Sequence, residues 1–97
     1  MITEKLKLEL KNIFSKYPEI DKVLLFGSRA RNDHRVNSDV DICLFGKNVN
    51  HLILAKVSMD IDELNTPLSF DILNFNELNK VELIDNILKE GIEIYNG

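Results

Sequence analysis

The chain has 97 residues, 44% hydrophobic and 29% charged, with a net charge of −4 at neutral pH. These are ordinary values for one folded domain that buries about two thirds of its unfolded surface in a single core, with no room for a second domain. They argue against a disordered chain and, through the acidic balance, against a protein that coats nucleic acid with a broad basic surface. The lone Cys43 cannot form an intrachain disulfide and fits a reducing cytoplasm. No apolar run approaches membrane-spanning length, and the N-terminus lacks the basic-then-apolar shape of a secretory signal.

In chain order, Leu6, Leu10, Ile13, Phe14 and Tyr17 recur at helical spacing, so Thr3 to Lys16 reads as an amphipathic helix with Thr3 as N-cap and Pro18 beyond its end. Val23 to Phe26 is a short apolar run, expected of a strand covered on both faces. Ser28 to about Asn32 reads as a helical turn and Asp33 to Ser38 as a polar loop. Asp39 to Phe45 is a second strand, stopped by Gly46-Lys47-Asn48. Val49 to Leu64 carries a second helical stripe, ended by Asn65-Thr66-Pro67. Leu68 to Leu73 reads as a third strand, with Ser69, Asp71 and Leu73 on one face. A last helix is expected from about Glu77 to Glu90, with Leu78, Val81, Ile84, Ile87 and Leu88 inward and Gly91 as its C-terminal cap. Ile92 to Tyr95 can add an edge strand. The order points to a layered α/β domain, and the asparagine content is read as background composition.

The chemistry gathers between Leu24 and Phe45. An apolar run ends in Gly27-Ser28, the following loop holds every arginine of the chain (Arg29, Arg31, Arg35), and a second apolar run opens with Asp39-Val40-Asp41. On a strand, Asp39 and Asp41 lie on one face while Val40 and Ile42 enter a core. Two carboxylates so placed repel unless a cation lies between them, and hard oxygen donors suit Mg²⁺ or Mn²⁺. A strand running into Gly-Ser and then a helix offers backbone N–H groups to phosphate, and arginine matches phosphate oxygens two at a time. An EF-hand fails because Cys43 and Leu44 stand where ligands and the loop glycine belong. A Walker loop fails for want of Gly-Lys-Ser/Thr. His34 and His51 read as exposed residues, and Cys43 as a small buried apolar one.

Gly27-Ser28 with Arg29-Ala30-Arg31, then Ser38-Asp39-Val40-Asp41-Ile42, resembles the Gly-Ser…Asp-x-Asp signature of the nucleotidyltransferase superfamily. Within it, the wording and length are most similar to the minimal nucleotidyltransferases, the MNT-domain proteins found beside a HEPN-domain partner. The resemblance covers most of the chain and implies a single nucleotidyltransferase domain over residues 1–97, with a small mixed sheet flanked by helices. One departure is Asn32, where that family usually carries glycine; asparagine tolerates a left-handed backbone well.

Transfer of a nucleotide to a hydroxyl calls for a metal pair and hence a third carboxylate, for which Asp71 is the best candidate. The resemblance implies that Asp39, Asp41 and Asp71 bind two Mg²⁺ ions (or Mn²⁺) and carry the catalysis, while Gly27, Ser28, Arg29 and Arg31 hold the nucleoside triphosphate, with ATP as donor. It implies that AMP passes to a tyrosine of a HEPN ribonuclease toxin, for which this protein would be the antitoxin. A non-catalytic module that neutralises its partner by contact, and nucleotidyl transfer to a small molecule, remain the alternatives.

Overall fold

The computed structural model describes residues 2–27 and 39–97. The helical turn expected at 28–32, the loop to Ser38, and Ser28, Arg29, Arg31, Asn32, His34 and Arg35 lie outside the described residues. The elements in chain order are α1 (Glu4–Phe14), β1 (Lys22–Phe26), β2 (Val40–Phe45), α2 (His51–Asp62), β3 (Phe70–Asn74), a 3₁₀ turn (Phe75–Glu77), α3 (Val81–Glu90) and β4 (Ile92–Asn96).

α1 forms where the apolar spacing and the caps agree. The Thr3 hydroxyl accepts a hydrogen bond from the Leu6 amide at 3.1 Å, satisfying one of the donors a helix start leaves open. Glu4 in the first turn and Lys11 in the last complement the helix dipole. Leu6, Leu10, Ile13 and Phe14 are buried. In α2 the Asn50 side chain caps the start, accepting from the Ile53 amide at 3.0 Å, and Ile53, Val57 and Ile61 face inward.

The four strands form one mixed sheet in the order β3-β2-β1-β4. β1 runs antiparallel to both β2 and β4, and β2 runs parallel to β3. Alternation along the two central strands divides the core. Val23, Leu25, Val40, Ile42 and Leu44 pack with the inward residues of α1 and α2. Leu24, Phe26 and Cys43 point the other way and meet Ile87 of α3. Among the described residues, two helices thus cover one face of the sheet and one covers the other.

The second face is ordered in rows across the strands. Phe26, Asp41 and Asp71 are register neighbours, and so are Leu24, Cys43 and Leu73. Beyond them Phe45 stacks on Phe75, with centroids 4.3 Å apart, and the Lys22 ammonium lies 4.9 Å from the Phe45 centroid. One sheet face therefore passes from an aromatic end, through an apolar middle held by α3, to a carboxylate end.

Three expectations need correction. The last helix begins at Val81 rather than near Glu77, because the 3₁₀ turn and an extended stretch at Leu78 intervene. Its inward line differs in part: Ile87 is buried and Leu78 packs against the same cluster, as expected, with Leu83 beside them, but Val81 and Leu88 are 79% and 56% exposed. Gly91 does cap this helix, its amide donating to the Ile87 carbonyl at 2.9 Å. Its backbone is extended (φ −64°, ψ 140°) rather than left-handed. Glycine is required there for space, since a Cβ would strike the Ile87 carbonyl.

The asparagines are not background either. Asn74, at the end of β3, is the buried polar side chain of the described core, 4% exposed. Its amide donates to the Val49 carbonyl (3.1 Å) and to Glu77 Oε1 (3.3 Å), and its Oδ1 accepts from the Asn76 amide N–H (3.1 Å). Asn76 Nδ2 donates to the carbonyls of Gly46 (2.8 Å) and Val49 (3.1 Å).

Candidate active site

Asp41 and Asp71 are brought together by the sheet itself. Parallel pairing places them directly opposite each other on β2 and β3, so both carboxylates leave the same face. Asp41 is half-buried and Asp71 exposed. Asp39 lies immediately before β2 and is exposed, two residues from Asp41. The Val40 amide donates to the Ser69 carbonyl at 2.9 Å, which ties this strand entry to β3 on the Asp71 side.

Gly27 closes the site from β1. Its φ of +75° is a conformation L side chains adopt only at a cost, and a Cβ there would strike Asp41 Oδ2. Glycine is thus demanded twice, by the turn leaving β1 and by the space the Asp41 carboxylate occupies. Phe26, the register partner of Asp41 in β1, is buried against Leu24 and Cys43 and walls the carboxylate off from the interior.

Cys43 lies one step deeper on the same face, fully buried. Burial pushes its thiol up to about 12 because the charged thiolate loses its hydration. It remains a neutral packing group and supplies neither a nucleophile nor a soft metal ligand.

Among the described residues no three His, Cys, Asp or Glu side chains gather closely enough to hold a metal ion by themselves. The pair that is present suits a hard cation in kind, since both donors are carboxylates and the absence of a side chain at Gly27 lets the Asp41 carboxylate keep its position. A site of two or three carboxylates that leaves the remaining positions to water and phosphate oxygens is usual for Mg²⁺.

The polymerase β nucleotidyltransferase family matches residues 8–97. The chain belongs to that family and is by that membership a nucleotidyltransferase. A protein of Methanocaldococcus jannaschii inferred to be a protein adenylyltransferase is 30% identical over 76 residues, covering 77% of this chain and 80% of its own length. The fold is shared with a crystal structure of a toxin–antitoxin with AMP-PNP (TM-score 0.76, 14% identity), over 94% of this chain and 73% of that one. It is shared also with a complex of tri-AMPylated Shewanella oneidensis HEPN toxin and MNT antitoxin (TM-score 0.58, 15% identity), over 94% and 72% of the two chains. The mixed sheet flanked by helices is the arrangement the Gly-Ser…Asp-x-Asp resemblance implied. No helix among the described residues is long and apolar enough to cross a membrane.

Proposed function

We propose that this chain moves AMP from ATP to a hydroxyl of a partner protein, with Mg²⁺ bound by Asp39, Asp41 and Asp71, and that the partner is a HEPN-type toxin silenced by the modification. The observation that carries the reading is the pairing of Asp41 with Asp71 on one sheet face, beside a left-handed glycine whose missing side chain leaves the Asp41 carboxylate its space. The names of the relatives support the acceptor class: one is a protein adenylyltransferase by inference, and one structure holds an AMP-bearing HEPN toxin with its MNT antitoxin.

In the proposed reaction the acceptor oxygen bonds to the α-phosphorus of ATP, the bond from that phosphorus to the bridging oxygen breaks, and pyrophosphate leaves. The proton of the acceptor hydroxyl passes to a carboxylate oxygen of Asp71, the more exposed of the opposed pair, which requires only hydrogen-bond reach. Bound Mg²⁺ would neutralise triphosphate charge and stabilise the attacking and leaving oxygens. Gly27 with Ser28 and the arginines 29 and 31 would hold the phosphates, the glycine letting the backbone approach without a Cβ.

Intact-mass spectrometry of the partner after incubation with this protein, Mg²⁺ and each nucleoside triphosphate tests the proposal. A gain of one or more AMP masses, lost when Asp39 and Asp41 are both replaced by Asn, is expected. Protection from the toxin with no mass gain would instead identify a module that acts by contact.

A further inference from the structure

We infer that Asn74 is a positioning residue: with Asn76, its buried amide holds β3 in the one register that sets Asp71 opposite Asp41. A parallel pair joined through a helix has no hairpin turn to fix its register. Alternation of buried and exposed residues excludes a slip by one position, which would turn Asp71 into the core. It does not exclude a slip by two, about 6.6 Å along the strand, which keeps every residue on its face and would set Ser69 or Leu73 opposite Asp41 in place of Asp71.

The end of β3 removes that freedom. Asn74 pairs in register with Leu44, and its side chain crosses to the turn after β2 to reach the Val49 carbonyl. Asn76 grips the Gly46 and Val49 carbonyls of the same turn. Val49 is buried in the main core, so a slide of β3 would take the buried Asn74 amide away from the Val49 carbonyl, leaving it only Glu77 of its own segment, and would strip Asn76 of both its carbonyl acceptors, which is costly. The catalytic consequence rests on the function proposed above; the register claim does not.

NMR on the whole chain tests it with Asn74→Leu, which keeps the branching of the side chain, at a larger volume, without the amide, and with Asn76→Ala, an exposed change that leaves the core intact. The expected result is that β3 amides exchange about tenfold faster in the first variant and by a smaller factor in the second, and that cross-strand contacts between Asp41 and Asp71 weaken or move to residues 69 or 73. Mn²⁺ binding should weaken and kcat fall with them, while Ile13→Val, a core change in α1, alters neither at a comparable loss of Tm. Unchanged exchange and unchanged 41–71 contacts in Asn76→Ala, and in Asn74→Leu where it folds, would overturn the inference. Loss of register in a protein whose unmodified form neither binds Mn²⁺ nor transfers AMP would sustain it and sink the proposed function instead.

Discussion

Gly27 and Asp41 occupy each other's space across β1 and β2: the position where residue 27 would carry a Cβ is taken by the Asp41 carboxylate. A left-handed residue with a side chain costs about 1–2 kcal/mol even in the open, and here the side chain would also push Asp41 out of line with Asp71. Gly27→Ala should therefore lower stability by about that amount and reduce nucleotidyl transfer by more than stability alone explains. Denaturant titration and single-turnover kinetics on the same preparation separate the two losses.

Tyr17 and Asp60 tie the end of α1 to α2, the phenol donating to Asp60 Oδ2 at 2.5 Å while Lys16 approaches the same oxygen at 3.3 Å. The hydrogen bond raises the tyrosine to about 12 and, with Lys16, lowers the aspartate. The folded-state value of Tyr17 is above its ordinary 10, so its contribution is complete below pH 10 and fades as pH rises toward 12. That of Asp60 is lowered, so its contribution is complete above the ordinary aspartate value and fades as acid protonates it. Tyr17→Phe should cost about 0.5–1.5 kcal/mol near neutrality and flatten the alkaline limb, as thermal melts across pH will read.

Cys43 should resist thiol reagents in the native state and react only as the chain opens, because burial holds its pKa near 12. Since that value lies above the unfolded thiol's, the associated stability is complete below about pH 9 and declines above it. Labelling with a chromogenic disulfide in rising denaturant should follow global unfolding. Rapid labelling of native protein would contradict the packing of Leu24, Phe26 and Ile87 around it.

α3 makes a prediction of contrast. Ile87→Ala should cost about 2–5 kcal/mol as a fully buried truncation, whereas Val81→Ala and Leu88→Ala should stay within about 0.5 kcal/mol. Urea midpoints of the three variants check the order.

The elements that sequence revealed were those in which local signals agree. Thr3 before a helical stripe, short apolar runs for β1 and β2, and Asp71 alternating with Phe70 and Ile72 all reflect burial, which pattern records directly. Pairing of Asp41 with Asp71 was legible only as a condition, because alternation gives a face and says nothing of which strand lies alongside. α3 was misphased for a similar reason. Val81, Ile84 and Leu88 fit a helical stripe, yet the helix rests on a narrow ridge of Leu24, Phe26 and Cys43 that covers little beyond Ile87 and Leu83. The asparagine anchor was hidden because hydrophobic periodicity is blind to amides. The Asn74-Phe75-Asn76 alternation at a strand end was its one available signal. Ser28, Arg29 and Arg31 lie outside the described residues, so the phosphate-holding half of the site rests on the motif.

The most direct measurement of the central claim is a double-mutant cycle on single-turnover AMP transfer, using Asp41→Asn, Asp71→Asn and the pair. If the two carboxylates act as one unit, each single change should abolish nearly as much transfer as both together, a drop of about a thousandfold or more, with the folded state retained by circular dichroism. An Asp71→Asn variant that transfers AMP within about tenfold of the unmodified protein, or losses that simply multiply, would contradict the account.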